Sequence, residues 1–269
     1  MIGFPHAKIN LGLSIISKRA DGFHDLETVF YPLSLQDVLE IIPATALTFF
    51  LTGLSLPGDT GDNLVMQAFN RLKNHFPQIT PLEIHLHKSI PSGAGFGGGS
   101  SDAACMLLLL NDYFHLNIPP EKLELFALDL GSDCPFFLYS SPCFARSRGE
   151  IWEALPLDLS GYSILLVHPE LHISTAWAFS KIHPAASTFA IKELMLEPVK
   201  NWRGRLQNDF EIPVFRKYPQ LQKIKAQLYE AGALYASMTG SGSSLYGIFK
   251  KNSIPAGGIA TEAPQTFLP

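Results

Sequence analysis

Five of the seven residues from Gly93 to Gly99 are glycine, in the run Pro91-Ser92-Gly93-Ala94-Gly95-Phe96-Gly97-Gly98-Gly99-Ser100-Ser101-Asp102-Ala103-Ala104. Glycine loses more backbone freedom on folding than any other residue, so such density is unfavourable unless the backbone must approach something closely. An apolar run follows through Leu110, and Ser100 and Ser101 are expected to open a helix there. A glycine loop feeding a helix start presents unpaired N–H groups and the positive end of the helix dipole, a combination that suits phosphate. The loop is not a Walker A sequence, because no Gly-Lys-Ser or Gly-Lys-Thr ends it. Gly93, Gly95 and Gly98 do satisfy G-x-G-x-x-G, but about 20 residues on, where a dinucleotide fold has its acidic residue, stands Ile118. A surface turn is the plain alternative.

What surrounds the loop narrows the class. Apolar residues make up 46% of the 269 and charged residues 16%, which supports a buried core of one large or two modest domains. The formal net charge of −4, with no cluster of Lys and Arg, argues against a nucleic-acid partner. No signal-peptide pattern opens the sequence, and the longest apolar run, Ala103 to Leu110, is far short of the roughly 20 residues that span a bilayer, so no membrane association is expected. Cys105, Cys134 and Cys143 are odd in number and at no metal-like spacing, and read as reduced thiols of a cytoplasmic protein.

Along the chain, Ile9, Leu11, Leu13 and Ile15 alternate with Lys8, Asn10, Gly12 and Ser14, predicting a strand with one apolar and one polar face. Strands are expected at 37–42, 47–51, 82–87, 162–167 and 245–249. Helices are expected after the Asp62-Asn63 cap, from the glycine loop through 110, over 121–130, from Ser174 through 182, and around 221–228 before Gly232. Strands and helices mix without strict alternation, which favours α+β. The best domain boundary lies near Leu155-Pro156-Leu157, giving residues 1–155 and 156–269. The tail from Ser253, rich in Pro, Gly and Ala, is expected to be loosely ordered.

Three segments in order carry a family resemblance. Pro91 to Ala104 resembles the ATP loop of the GHMP kinases, Pro5-His6-Ala7-Lys8-Ile9-Asn10-Leu11 their N-terminal motif, and Met238-Thr239-Gly240-Ser241-Gly242-Ser243-Ser244 their C-terminal glycine loop. Within that superfamily, Arg19-Ala20-Asp21-Gly22-Phe23-His24, Gly131 to Phe137, His168-Pro169 with Ile173 to Phe179, and Leu206 to Glu211 resemble the branch acting on a cytidine diphosphate-linked methylerythritol. The resemblance implies a two-domain α+β fold, with an N-terminal domain like the second domain of ribosomal protein S5 and a ferredoxin-like C-terminal domain. It implies phosphorylation of the substrate's 2-hydroxyl by ATP with Mg²⁺, in the non-mevalonate route to isoprenoid precursors.

It also implies site residues. The ATP loop would use Pro91, Ser92, Gly93, Ala94, Gly95, Phe96, Gly97, Gly98, Gly99, Ser100 and Ser101, and the substrate side Asn10, Phe23, His24, Phe179, Thr239 and Gly240. Asp133 is the expected base and Lys8 its partner, since phosphoryl transfer needs an oriented hydroxyl and offset charge. The alternatives are a turn or helix-cap aspartate and an exposed strand lysine. Phe23 and Phe179 would stack on the pyrimidine while His24 reads its edge. Phe23 stands where this branch often has Tyr, so one polar contact is missing. Asp102 is a further candidate contact to nucleotide. His85 and His87 form H-x-H, but no third ligand lies nearby, and no metal site is assigned. Rival readings are a homoserine-, mevalonate- or sugar-type kinase, a diphosphomevalonate decarboxylase, or an ATP-binding module without catalysis. Oligomeric state is not legible.

Overall fold

A computed structural model describes residues 1–55, 62–185, 190–254 and 265–267. Most of the tail from Ser253, and the expectation made for it, lies outside the described residues. The chain divides into two compact units: one of residues 1–8, 32–92 and 97–140, the other of residues 9–31, 93–96 and 141–269.

The first unit is built on the four-stranded sheet β1-β4-β6-β5, with β1 Ile2–Gly3, β4 Val38–Pro43, β5 Thr48–Gly53 and β6 Leu82–Lys88. β4 runs antiparallel to β6, pairing Leu39 with Leu86 and Ile41 with Ile84, while β5 runs parallel to β6. The helices are α1 Leu64–His75, α2 Gly98–Tyr113, α3 Pro120–Leu130 and α4 Cys134–Tyr139. The Asn63 side chain caps α1 by accepting the Val65 N–H at 2.9 Å, and Val65, Ala68, Phe69 and Leu72 form its buried face. Those residues pack with Leu39, Ile84, Leu86, Met106, Leu107 and Leu110 in one core. α2 starts at Gly98, two residues before the serines expected to open it, because Gly97 takes the left-handed conformation at the cap.

The second unit contains the sheet β10-β11-β9-β12, with β9 Tyr162–His168, β10 Tyr235–Met238, β11 Leu245–Lys250 and β12 Gln265–Phe267, all paired antiparallel. Its helices are α5 Thr175–Ser180, α6 Ile191–Leu194, α7 Glu211–Lys217 and α8 Pro219–Glu230. Ser174 accepts the Trp177 N–H as the cap of α5, and Leu221, Ile224 and Leu228 of α8 join the core of Leu165, Val167, Phe210 and Phe249. The third sheet is ordered β2-β3-β7-β8, with β2 His6–Lys18, β3 His24–Gln36, β7 Cys143–Ser147 and β8 Ile151–Ala154; β2 and β3 each contribute residues to both units.

The polar side of β2 is covered, for Lys8 is 3% and Asn10 2% exposed, so the alternative of an exposed strand lysine does not hold. No helix among the described residues is long and apolar enough to cross a membrane. The three cysteines are free thiols.

Candidate active site

In the first unit, Lys8 and Asp133 meet. Lys8 Nζ lies 3.4 Å from Asp133 Oδ2, with the lysine side chain buried and the aspartate 34% exposed. Asp133 occupies the cap position of α4, yet its side chain makes no capping bond and turns to the lysine instead. The plain reading of Asp133 as a helix cap therefore describes its backbone but not its carboxylate. Pro135 near the start of α4 lacks an N–H, so the helix has one donor fewer to satisfy there.

Gly97 joins them. A Cβ at this position would stand 2.7 Å from Phe137 Cζ and 3.2 Å from Lys8 Cε, and the residue has φ +72°. Only glycine leaves room for the Lys8 stem and the Phe137 ring, so the loop, the lysine and α4 are fitted to one another. Pro91 and Ser92, and Gly97 through Ser101, belong to this unit. Gly99 is exposed, Ser100 half-buried, and Ser101 buried.

Gly93, Ala94, Gly95 and Phe96 belong to the second unit. There the tip of the loop lies against Thr239 to Ser244. A Cβ on Gly95, which has φ +87°, would fall 2.3 Å from the Thr239 carbonyl oxygen. Thr239 Oγ1 donates to the Gly95 carbonyl at 3.1 Å, the Asn10 N–H donates to Thr239 Oγ1 at 3.1 Å, and the Ser244 N–H donates to the Ala94 carbonyl at 3.2 Å. A Cβ on Gly240 would stand 3.4 Å from the Gly95 Cα. Asn10, Thr239, Gly240 and the tip of the glycine loop are thus one assembly. The segment from Leu206 to Glu211 supports it from behind. The Asn208 amide donates to the carbonyls of Met238 and Gly240, each at 2.9 Å, and Glu211 Oε1 accepts the Met238 N–H at 2.9 Å.

Two of the aromatic candidates lie against each other: His24 stacks on Phe179, with centroids 4.8 Å apart and planes at 22°, and Phe179 in turn meets the edge of Phe210. Burial, with the nearby Lys18 charge adding, holds the His24 imidazole below its ordinary range. Phe23 is 47% exposed and carries the guanidinium of Arg148 over its ring, Cζ to centroid 3.6 Å. Phe23 is held by its own loop: its N–H donates to Asp21 Oδ1, and Arg19 ties Asp21, Asp25 and Ser147 together. Arg148 was not singled out from sequence; the signal was the pair of arginines in Arg146-Ser147-Arg148 in a chain with few charges.

His85 and His87 do not converge on a common ligand. His85 Nε2 is 2.7 Å from Glu83 and its ring stacks on Phe50, while His87 Nδ1 is 3.0 Å from Thr52 Oγ1. Among the described residues no group of three or more His, Cys, Asp or Glu side chains could hold a metal ion.

Comparison with known proteins agrees with these features. The family GHMP kinases N terminal domain matches residues 63–141, and GHMP kinases C terminal matches residues 190–257. A 4-diphosphocytidyl-2-C-methyl-D-erythritol kinase of Bacteroides thetaiotaomicron is 52% identical over 93% of this chain and 92% of its own. One of Porphyromonas gingivalis is 47% identical over 93% of both. A crystal structure of 4-(cytidine 5'-diphospho)-2C-methyl-D-erythritol kinase superposes with a TM-score of 0.80 at 31% identity, covering 92% of this chain and 90% of that one. The mevalonate kinase of Methanococcus jannaschii shares the fold, with a TM-score of 0.70 at 12% identity over 94% of this chain and 92% of its own. With such likeness over nearly its whole length, the chain belongs to the GHMP kinase family, ATP-dependent enzymes acting on small molecules, and within it to the 4-diphosphocytidyl-2-C-methyl-D-erythritol kinases.

Proposed function

We propose that the protein phosphorylates the 2-hydroxyl of 4-diphosphocytidyl-2-C-methyl-D-erythritol with MgATP, giving the 2-phosphate and ADP, in the non-mevalonate route to isoprenoid precursors. The observation that carries this reading is the contact between buried Lys8 and partly exposed Asp133 at 3.4 Å, next to Gly97 of the glycine loop.

Asp133 accepts the proton of the acceptor hydroxyl as that oxygen bonds to the γ-phosphorus. The bond from the γ-phosphorus to the β–γ bridging oxygen breaks, and ADP leaves with the electron pair. Such transfers depend on alignment and charge stabilisation more than on the strength of the base. Lys8 orients the Asp133 carboxylate and faces the charge that develops as the phosphoryl group moves. Mg²⁺ enters as part of the nucleotide substrate, a habit of this strongly hydrated ion in phosphoryl transfer.

The run Pro91 to Ser101 is the phosphate loop in this reading, supported by the α2 start at Gly98 and by the left-handed glycines that bring bare backbone forward. Asn10, Thr239 and Gly240 hold the methylerythritol side, supported by the network joining them to Gly95. Phe23, His24 and Phe179 hold the cytidine, with their exposed or half-buried rings offering faces to a pyrimidine. The domains are residues 1–155 and 156–269, supported by family matches that fall on either side of that boundary. A cytoplasmic location is supported by the three free thiols.

The test is ADP release by the purified protein with MgATP and, in turn, the cytidylyl substrate, mevalonate, homoserine or galactose. Turnover confined to the cytidylyl alcohol is the expected result. Turnover with another alcohol instead removes the cytidine assignment and keeps the kinase. ATP binding without turnover of any of them overturns the catalytic roles.

A further inference from the structure

Three charged side chains outside the catalytic pair are sealed inside the first unit. Asp37, between β3 and β4, is 0% exposed; Lys88, the last residue of β6, and Asp102, the fifth residue of α2, are each 2% exposed. The Lys88 ammonium donates to Asp37 Oδ2 and, at 2.6 Å, to Asp102 Oδ2. Asp37 is fully satisfied, because its Oδ1 also accepts the N–H groups of Ser89 at 2.5 Å and Ile90 at 2.8 Å. Asp102 is not: its Oδ1 is buried with no hydrogen-bond partner. With every group ionised the cluster would hold one positive and two negative charges, an uncompensated charge among buried groups. The carboxylate with a buried oxygen that has no donor is the one that takes the balancing proton, and that is Asp102.

The cluster lies directly beneath the phosphate loop. Lys88 Nζ is 3.3 Å from the point where a Cβ on Gly98 would stand, and Gly98 is the first residue of α2.

We propose that Asp102 is a proton-linked positioning residue of the phosphate loop, taking up a proton when the polyphosphate of ATP binds at the start of α2. The inference rests on the reading of Pro91 to Ser101 as that loop. Bound phosphates add negative potential beside a carboxylate that lacks a full counter-charge. Neutralising Asp102 leaves Lys88 with Asp37 as its single anionic partner, and its remaining positive field then acts on the nucleotide through Gly98. Desolvation, with the nearby Asp37 charge adding and Lys88 opposing, raises the Asp102 carboxyl to about 7, so the exchange falls in the working range of pH. Lys88 on β6 and Asp37 before β4 are the charged groups that act on it among the described residues. Cys105, one turn along α2 and itself affected by Asp102, has its thiol pushed up by burial to about 12 and stays neutral throughout.

The experiment is calorimetric titration of the full-length protein with MgATP at pH 7.5 in buffers of different ionisation enthalpy, for the wild type and Asp102→Asn. The wild type is expected to take up a fraction of a proton that the variant does not. Between pH 6.5 and 8.5 its affinity for ATP should fall several-fold further than that of the variant, the limit for one linked proton being about tenfold per pH unit. Equal proton counts and parallel pH profiles overturn the proposal. Should the variant not fold, the wild type decides alone: uptake at pH 7.5 must vanish at pH 5.5, where Asp102 is already protonated, and its persistence there overturns the proposal. A wild type that binds no ATP overturns the reading of the loop itself, a result distinct from binding without proton uptake.

Discussion

Lys8 reaches Asp133 from a strand whose polar side is enclosed, so the lysine spends its length inside the protein and only the carboxylate of the pair meets solvent. Removing either partner breaks the pair. Asp133→Asn and Lys8→Ala are each expected to lower kcat by about 10²–10⁴-fold. The double variant should be little worse than the poorer single one, because the two act as a unit. Steady-state ADP release with separate KM values checks this, and a kcat within tenfold of wild type in either variant removes the assigned roles.

Gly97→Ala forces a side chain into the space shared by Phe137 and Lys8 and into a left-handed backbone. We expect a loss of about 1–3 kcal/mol in stability together with a raised KM for ATP. Thermal melts and ATP titration report the two effects separately. Gly99→Ala is the control, because its Cβ would meet nothing nearer than Leu64 at 3.6 Å and φ there is not left-handed.

Arg148→Ala strips the guanidinium from the Phe23 ring. An exposed cation–π contact is worth about 0.5–1 kcal/mol, so KM for the cytidylyl substrate should rise roughly two- to fivefold while KM for ATP stays put. Arg148→Lys should recover part of the loss. A change confined to ATP would remove Phe23 from the cytidine side.

Asn208→Ala leaves the carbonyls of Met238 and Gly240 without the amide that now bonds both. The Met238 carbonyl keeps the Ser237 hydroxyl as a donor at 3.2 Å, so the expected loss of about 1–3 kcal/mol falls mainly on the Gly240 carbonyl, with the second glycine loop loosened as a consequence. Hydrogen exchange around residues 238–244, read against global stability from denaturant melts, tells local loosening from general unfolding.

Burial holds the His6 imidazole below its ordinary 6.5, only partly offset by its contact with the Ala7 carbonyl. A lowered folded-state value means that the unfolded chain binds the proton more readily. The contribution of His6 to stability is therefore intact above pH 6.5 and is lost as pH falls through its folded-state value. Melting temperature should fall less in His6→Gln than in wild type between pH 7.5 and 5. Identical falls would mean that the imidazole is ionised equally in both states.

What could be read from the sequence was local. The Asn63 cap, the apolar faces of α1 and α8, and both glycine loops are patterns that a few consecutive residues carry in full. β3 went unseen because His24 to Gln36 includes Pro32 and keeps no clean alternation, its central residues being covered on both sides. The burial of Lys8 was not legible from its strand, because alternation reports a difference between two sides of a strand, not whether the polar side is covered. Asp133 and Lys8 lie in different elements, and family resemblance rather than any spacing joined them. The triad of Asp37, Lys88 and Asp102 belongs to the same class: three ordinary charges in three segments, whose burial and mutual contact exist only once the sheet and α2 have packed together. That His24 lies on Phe179 and Arg148 on Phe23 was not legible, because stacking is decided by ring orientation, which residue order does not encode.

The backbone contact between Gly95 and Thr239 has a consequence for how the protein is made. Their hydrogen bond joins residues 144 positions apart. At a synthesis rate of about 5–20 residues per second, on the order of ten seconds or more pass between the two leaving the ribosome's catalytic centre. Through that interval the tip of the glycine loop has no Thr239 to rest on, so a nascent chain can hold its first core and yet lack a finished glycine loop. The shape of that loop is then acquired late, as a property of the longer polypeptide rather than of its first half.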